Sequence, residues 1–451
     1  VVAVIDDGFD LYHPDLSGPE KIVAPKDFAD NDAIPFPRKA TDDYHGTPCA
    51  GVAIGEENGE GIVGIAPGCA FLPIRFDLAA DDDLLWEIFD YAGSRAQVIS
   101  CSWGPVPVYA PLSSLLSNQF SELAKKGGPD GKGCSIVFAA GNFNAPLKDL
   151  KNKHFEWFHP NHGVLTTRQA ILNGNAAHPD VIAVSASTSQ NRKSAYSNWG
   201  KEIAVCAPSD NWHPIDQQAF VPGRGIWTTD NESFGTGFTS NRRYTDRFGG
   251  TSSATPLVAG IIALMRSVNA ELSHRQIQQI LKESTDKIED HEADIVLQHQ
   301  KGTYNAKGHS EWFGYGKINA AKAVALAQSQ AKKETEVPVS PTPQSAQAIY
   351  IIAALVNPRG AERGAESVSL FNISDRAIDL DNWILDSAKR SKELIRQQII
   401  APGAHLLIPL SSLRLSNSGG RIRLLNPTGQ VMHEVTYTRT QAKREGWQIK
   451  F

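Results

Sequence analysis

Residues 248–260 read F-G-G-T-S-S-A-T-P-L-V-A-G, a glycine turn followed by hydroxyl residues and the start of an apolar helical run. The pair Gly249-Gly250 lets the backbone turn sharply and approach a ligand closely. Ser252 falls in the first turn of the predicted helix, where free N–H groups and the helix dipole favour negative charge. This position suits a nucleophile whose attack creates an oxyanion. Taken alone, the pattern is more typical of a Ser or Thr cap on an ordinary core helix.

Two other stretches supply the partners that a nucleophilic serine needs. Residues 1–7 read V-V-A-V-I-D-D, which predicts a buried parallel strand with the carboxylate of Asp6 at its C-terminal end. Residues 43–51 read D-Y-H-G-T-P-C-A-G, which places His45 before small residues that can open a helix. A hydrolytic triad needs a nucleophile, an imidazole base and a carboxylate that fixes the tautomer of the base. The sequence therefore predicts a triad of Asp6, His45 and Ser252.

Together these stretches resemble the motifs of the subtilisin-like serine proteases, the subtilases. V-I-D-D-G surrounds Asp6, H-G-T-x-x-A-G begins at His45, G-T-S-x-A-T-P surrounds Ser252, and A-A-G-N ends at Asn142. The order aspartate, histidine, serine is also that of subtilisin. The resemblance covers residues 1 to about 328. It implies an α/β fold with a parallel sheet flanked by helices, hydrolysis of peptide bonds, and Asn142 as a side-chain donor to the oxyanion.

The chain is expected to hold two domains. Residues 1–329 resemble a catalytic domain, and residues 330–347 are rich in Pro, Ser, Thr and Lys, which is typical of a linker. Residues 348–451 show short alternating strands separated by turns, the pattern of a β-sandwich, and resemble an immunoglobulin-like lamin tail domain. This second domain is predicted to serve docking or stabilisation, with Trp383 in its core.

Composition excludes several classes of protein. The 451 residues include 44 basic and 49 acidic side chains, so there is no electrostatic case for a nucleic-acid partner. No apolar run approaches the ~20 residues of a membrane span. The five cysteines include no C-x-x-C pair of the kind that binds metals. Cys101, Cys134 and Cys206 lie in apolar runs that predict strands, so inert buried thiols are expected there. Cys49, four residues after His45, is a weak alternative nucleophile, since Ser252 already fills that role.

The family resemblance also carries expectations about processing. Subtilases normally have a secretion signal, a pro-segment and some mature sequence before the catalytic strand at which this chain opens. The sequence is therefore expected to be a C-terminal portion of a secreted, extracellular or periplasmic protein. Its expected partners are peptide or protein substrates and an N-terminal pro-segment or N-terminal portion of the same protein.

The kexin and furin branch of the family supplies the predictions for substrate binding. Asp7 follows Asp6 directly, as in the D-D-G signature of that branch, which implies a preference for a basic residue two before the scissile bond. The alternative is an acid that only supports neighbouring groups or is solvated. The S-W-G-P stretch implies an edge that pairs with an extended substrate. Acids that recognise arginine are missing after Pro105 and at Asn175, so strict arginine specificity does not follow. The predicted substrate-binding residues are Asp7, Ser100, Ser102, Trp103 and Gly104.

Calcium is the cofactor that the resemblance implies. A hard cation wants six to eight oxygen ligands, many of them from a looped backbone. The first set of ligands is the side chains of Asp15 and Asn58 with the carbonyls of Glu56, Glu60 and Ile62. The second set is Asp27 and Asp32, with the Ile34 carbonyl as a further candidate. A simple acidic turn and a solvated acidic loop are the respective alternatives.

The sequence thus predicts a secreted, calcium-dependent serine endopeptidase. A catalytically silent scaffold that binds partners through the β-sandwich is the competing class, against which the four intact catalytic positions argue. An esterase of the α/β-hydrolase type would need G-x-S-x-G and a serine before the histidine, and Ser252 meets neither condition.

Overall fold

A computed structural model describes residues 1–232, 234–239, 243–335, 349–358, 365–374, 376–387, 391–443, 445–446 and 448–451. The chain divides into two compact units, Val1–Val337 and Pro338–Phe451. Residues 336–347 of the predicted linker lie outside the described residues.

The first unit is an α/β domain. Its helices are α1 Gly46–Ile54, α2 Asp82–Gly93, α3 Ser114–Lys126, α4 Gly250–Val268, α5 His274–Glu283 and α6 Ala320–Thr335. Its strands are β1 Val2–Asp6, β2 Lys26–Asp27, β3 Phe71–Arg75, β4 Val98–Cys101, β5 Tyr109–Ala110, β6 Ser135–Ala139, β7 Lys148–Asp149, β8 Phe155–His159, β9 Gly163–Thr167, β10 Ile171–Asn173, β11 Val181–Ser187, β12 Ile203–Pro208, β13 Ile226–Thr229 and β14 Tyr244–Phe248.

A seven-stranded parallel sheet organises this unit, in the order β12-β11-β6-β4-β1-β3-β2. Its central strands are wholly buried, which explains why their sequences are continuous apolar runs and do not alternate. In parallel strands all carboxyl ends lie at one edge of the sheet, where ligands of α/β proteins bind. Asp6, Ser102 and Asn142, which end or follow β1, β4 and β6, therefore share that edge.

Helix α4 runs through the core of the first unit. It packs against the sheet and is long and apolar enough to span a membrane by length and composition, yet 78% of it is buried inside the unit. Its apolar character is thus accounted for by the core. Two other helices begin with side-chain caps: Asp81 accepts a hydrogen bond from the Leu84 N–H before α2, and Ser273 forms a capping box with Gln276 before α5.

The long segment 143–177, between Asn142 and β11, is built largely of short strands. It contains β7, a hairpin of β8 and β9, and β10, which pairs with β5 and β7. Buried Trp157 of the hairpin packs edge-on against Phe143, with ring centroids 5.3 Å apart. The aromatic residues that made this segment unusual form a small core of their own beside Asn142.

The second unit is an antiparallel β-sandwich, as predicted. Its elements are β15 Ile349–Leu355, β16 Ser367–Asn372, β17 Ile378–Asp379, β18 Ile384–Asp386, β19 Lys392–Leu394, β20 Ile399–Ile400, β21 His405–Pro409, β22 Gly419–Leu425, β23 Val431–Thr438, α7 Arg439–Ala442 and β24 Gln448–Lys450. Two four-stranded sheets, β21-β16-β15-β24 and β19-β18-β22-β23, share one core that includes Ile351, Leu370, Leu385 and Leu424. Trp383 packs against that core and is partly buried.

Candidate active site

Asp6 and His45 form a hydrogen-bonded pair at the carboxyl edge of the sheet. Asp6 is wholly buried at the end of β1, and His45 precedes α1 with its side chain 24% exposed. The Asp6 Oδ1 atom lies 2.9 Å from Nδ1 of His45. Burial of the imidazole opposes its charge, but the charge of Asp6 and this hydrogen bond outweigh burial and raise the pKa of His45 well above its ordinary value. In the neutral ring, the contact with Asp6 favours the tautomer that carries its proton on Nδ1, which leaves Nε2 unprotonated and able to act as a base.

Asp7 holds the start of the helix that follows His45. Its carboxylate accepts hydrogen bonds from the backbone N–H groups of Tyr44, His45 and Gly46, at 2.8 to 3.2 Å. These are N–H groups without partners inside α1. Burial, followed by the neighbouring charge of Asp6, raises the pKa of Asp7 to about 6. Asp7 borders the cleft, as its predicted substrate role requires, but its carboxylate is already engaged in fixing the backbone of His45.

Ser252 lies in the first turn of α4, as predicted. Gly250 adopts φ +72°, a left-handed conformation that favours glycine and turns the chain into the helix. The Ser252 hydroxyl donates to the Ser102 carbonyl at 3.2 Å; among the described residues it makes no hydrogen bond with His45. Pro256 lacks the N–H that would bond to the Ser252 carbonyl. That carbonyl instead accepts from the Ser102 hydroxyl at 3.1 Å and from the Cys49 thiol at 3.7 Å.

The Cys49 thiol supports the serine helix. Its sulfur lies 3.7 Å from Nδ1 of His45 and is wholly buried. Burial raises the pKa of Cys49 to about 12, so the thiol keeps its proton at neutral pH. The structure therefore argues against the alternative of a cysteine nucleophile. Cys101, Cys134 and Cys206 are also buried and free, as expected.

Asn142 presents its amide with a fixed orientation. Its Oδ1 atom accepts hydrogen bonds from both the backbone N–H and the hydroxyl of Thr251, each at 2.8 Å. The Nδ2 group has no partner among the described residues. Because Oδ1 is occupied, the amide cannot turn over, and Nδ2 remains the donor beside the first turn of α4.

Sequence reasoning missed a second acid that supports the serine. Oδ1 of Asp210 accepts a hydrogen bond from the Gly250 N–H at 2.9 Å and from the Tyr196 hydroxyl at 2.9 Å. The Ser209 hydroxyl donates to the Gly250 carbonyl at 2.8 Å. Asp210 thus holds the start of α4 much as Asp7 holds the start of α1. The available signal was position, since Ser209 and Asp210 directly follow β12 at the functional edge of the sheet.

His45 borders a cleft of about 740 Å³. The lining of this cleft includes both acidic and apolar side chains: Asp42, Asp77, Asp82, Phe76, Leu85, Trp103, Leu112 and Leu116. Three predicted substrate residues, Ser102, Trp103 and Gly104, lie along this cleft, as does Asn175. The prediction for Ser100 is wrong, because Ser100 is wholly buried inside β4, which pairs with β1 and β6 on its two sides.

The first predicted calcium loop wraps around Asp15. This carboxylate is wholly buried, accepts hydrogen bonds from the Asn58 amide at 2.9 Å and the Ile62 N–H at 3.1 Å, and has no ion pair with any described residue. A buried carboxylate without a cationic partner is costly. The predicted ligands are grouped here: Glu56 donates its N–H to the Asp15 carbonyl, and the Glu60 N–H bonds to Asn58. An oxygen-rich loop around an uncompensated carboxylate fits a calcium ion.

The second predicted calcium loop fits a cation less well. The Arg75 guanidinium lies 3.3 Å from both carboxylate oxygens of Asp27, and Asp27 also accepts from the Ala29 and Asp30 N–H groups. Asp32 is exposed and bonds to the Ile34 N–H at 2.7 Å. Because Arg75 already supplies the positive charge, the structure does not favour a metal at Asp27 and Asp32.

Comparison with protein families gives two matches. Residues 1–316 match the Subtilase family, and residues 342–439 match the Lamin Tail Domain. Both matches confirm the resemblances drawn from the motifs.

Individual relatives are proteases. A "Calcium-dependent protease" of a Nostoc species is 37% identical over 352 residues, covering 72% of this chain and 46% of the relative. A "Dibasic-processing endoprotease" of Schizosaccharomyces pombe is 29% identical over 336 residues, covering 72% of this chain and 40% of the relative. The chain therefore spans less than half the length of these two relatives. Among solved structures, the serine protease of Aeromonas sobria in complex with a chaperone superposes with a TM-score of 0.56 at 20% identity, covering 97% of this chain and 84% of that one, which shows a shared fold.

Proposed function

The chain belongs to the subtilase family, and from that premise we propose that it is a calcium-dependent serine endopeptidase that uses Asp6, His45 and Ser252. The observation that carries the proposal is the contact between buried Asp6 and Nδ1 of His45, on the sheet edge that also holds the first turn of α4. The test is hydrolysis of a panel of fluorogenic peptides, with calcium, by the protein and by the variant Ser252→Ala.

In the proposed mechanism, Ser252 attacks the peptide carbonyl carbon and its proton passes to Nε2 of His45. Substrate binding turns the hydroxyl away from the Ser102 carbonyl, since catalytic hydrogen bonds often tighten only in the complex. The Ser252 N–H and Nδ2 of Asn142 donate to the oxyanion. His45 then protonates the leaving amine, and a water, deprotonated in turn by His45, hydrolyses the acyl-enzyme. Asp6 holds the imidazole and stabilises its positive charge.

Calcium at the Asp15 loop would be held by Asp15, Asn58 and the carbonyls of Glu56, Glu60 and Ile62. Its proposed contribution is to the stability of the loop, since it neutralises a buried carboxylate. A ligand at 100 times its Kd stabilises a fold by about 2.7 kcal/mol. The 37% identity to a protein named a calcium-dependent protease also supports this proposal.

Removal of calcium is therefore expected to lower the melting temperature by a few degrees. The measurement is differential scanning fluorimetry with excess calcium and with a chelator. The variant Asp15→Asn should lose most of this calcium response, whereas Asp149→Asn, a partly exposed acid elsewhere on the same unit, should keep it. An unchanged melting temperature on chelation would remove the calcium proposal.

We also propose that the cleft favours basic side chains in the substrate, at a position distinct from the residue before the scissile bond. Asp77 and Asp42 border the cleft near His45. The Asp77 carboxylate lies 3.4 Å from the Arg75 guanidinium, which neutralises part of its charge. Because the Asp77 side chain is also 59% exposed, the carboxylate remains accessible to a basic side chain of the substrate. A relative that is named for dibasic processing supports this proposal.

The variant Asp77→Asn is expected to lower kcat/KM for peptides with a basic residue near the scissile bond by roughly 5-fold or less, because an exposed ion pair contributes up to ~1 kcal/mol. Peptides with glutamine at the same position should be unaffected, which makes the ratio of the two rates the measurement. Asp90→Asn, on the exposed side of α2, is the matched control. Equal ratios in Asp77→Asn and the parent protein would refute a role for this acid.

A further inference from the structure

The backbone that carries Asn142 is held by an unusual buried cluster. Asn144, two residues further on, is 2% exposed and adopts φ +52°, a left-handed conformation that asparagine tolerates better than most residues. Its Oδ1 atom accepts from Nζ of Lys193 at 2.8 Å, and its Nδ2 group donates to Oδ1 of Asp294 at 2.8 Å. We call Asn144, Lys193 and Asp294 the Lys193 cluster.

Lys193 is buried in the protein interior. Its side chain is 4% exposed, and that of Asp294 is 2% exposed. Besides Asn144, Nζ faces the carbonyls of Ser194 and Ala195 at 3.3 and 2.9 Å and Oδ2 of Asp294 at 3.2 Å. An ammonium has three N–H donors and no acceptor, so it suits a site whose four polar neighbours are all oxygen acceptors.

The other charged groups around Lys193 are fixed as well. Asp290 accepts from the Lys193 N–H at 3.2 Å and pairs with the Arg192 guanidinium at 3.2 Å. Oδ1 of Asp294 also accepts from the N–H groups of Val296 and Leu297. Glu292 borders the same cavity and pairs with the Arg192 guanidinium at 3.1 Å. His299, whose pKa is lowered by burial, also lies near the cluster.

This cluster has no role in the triad chemistry, yet it acts on the oxyanion loop, residues 141–145. Asn198 holds the loop on one side, accepting hydrogen bonds from the Phe143 and Ala145 N–H groups at 2.9 Å. The Lys193 cluster holds it from the other side through Asn144. We propose that the Lys193 cluster positions the amide of Asn142 and does so only while the lysine keeps its proton. This inference rests on the proposed role of Asn142.

Loss of the proton would disturb the cluster in two ways. A neutral amine has two N–H groups and a lone pair, and that lone pair would face an oxygen acceptor. Asp294 would become a buried charge without its counter-ion, which is strongly unfavourable. A cavity of about 180 Å³ bordered by Lys193 and Asp294 gives solvent a route to the amine. Burial, only partly offset by Asp294, lowers the pKa of Lys193 to about 8, inside the working range of an enzyme.

The experiment is the pH dependence of kcat and KM, from pH 6 to about 10, for calcium-loaded protein and its variants. The parent protein should show a bell-shaped profile, in which kcat rises as His45 loses its proton and falls on the alkaline side as Lys193 loses its proton, with KM changed less than about twofold. In Asp294→Asn the lysine loses its counter-ion, so the fall should move to lower pH. In Lys193→Met, kcat should be about 10- to 100-fold lower and show no alkaline fall. The exposed Lys201→Met is the matched control and should behave as the parent protein.

A second variant tests the inference even if Lys193→Met does not fold. Asn144→Gly keeps a residue suited to positive φ and removes only the amide link, so kcat should fall while the melting temperature stays within a few degrees. Asn142→Asp, which keeps the acceptor for Thr251 and removes the donor, sets the upper limit of the loss, about 10²- to 10³-fold. The inference is overturned if hydrolysis depends on Ser252 but the parent protein shows no alkaline fall in kcat. It is also overturned if that fall occurs at the same pH in Asp294→Asn as in the parent protein. If no hydrolysis depends on Ser252, the proposed function itself fails.

Discussion

Ser252→Ala is expected to lower kcat by about 10⁶-fold, because removal of the nucleophile from a triad leaves only the contribution of binding and the oxyanion donors. KM should change little if the hydroxyl contributes to bond formation and not to ground-state binding of the substrate. The measurement is steady-state hydrolysis of the best peptide of the panel, with the melting temperature as a check of folding.

The matched control is Ser267→Ala, an exposed serine near the end of the same helix, which should keep full activity. Hydrolysis that survives in Ser252→Ala within about tenfold of the parent rate would exclude Ser252 as the nucleophile. The neighbouring thiol of Cys49 is not a replacement, because it is protonated and buried.

Asp6→Asn is expected to lower kcat by about 10⁴-fold, because an amide at this position favours the wrong tautomer of the imidazole and no longer stabilises its charge. It should also lower the pKa of His45. In the parent protein that pKa is raised by Asp6, so activity should rise with pH through a limb above the ordinary histidine value of about 6.5. Activity rises with pH because His45 can accept the serine proton only when its imidazole is neutral.

NMR titration of the His45 ring in the inactive Ser252→Ala background measures this pKa without turnover, and the spectrum of His45→Gln assigns the signal among the 13 histidines. Asp7→Asn serves as the comparison, since Asp7 bonds to the backbone of His45 and not to its ring. Its effect on the ring pKa should be smaller than that of Asp6→Asn. An equal His45 pKa in the Asp6→Asn and parent backgrounds would contradict the proposed effect of Asp6 on the imidazole.

The fold and the places of the candidate catalytic residues within it were predictable because each lies at a point where the sequence pattern changes. Asp6 ends an apolar strand, Asn142 follows another, and Ser252 opens an apolar helix after two glycines. Parallel strands bring such ends to one edge, so local patterns were enough to assemble the site. The position of Pro256 was part of a recognised motif, but only the structure relates it to the Ser252 carbonyl, which Ser102 and Cys49 satisfy.

The supporting residues were not predictable from local patterns. Asp7 was assigned to substrate binding by family resemblance, and its bonds to the start of α1 depend on where that helix packs. Asp210 bonds to a residue 40 positions away in the sequence, and Asn144 of the Lys193 cluster bonds to one 150 positions away. The residues near them in the chain do not indicate these partners. Ser100 was assigned to substrate binding because the strand that ends in S-W-G-P resembles a substrate-pairing edge, but Ser100 lies inside β4, whereas Ser102 follows its end.

The most direct measurement is the site at which a fluorophosphonate modifies the folded, calcium-loaded protein. The reaction joins the serine oxygen to phosphorus, releases fluoride and needs a base to take the proton, so it reports nucleophile and base together. We expect one phosphonyl group per chain, found by mass spectrometry on the peptide that contains Ser252, absent in Ser252→Ala and formed far more slowly in His45→Ala. No modification, or modification at a different residue, would contradict the proposed triad.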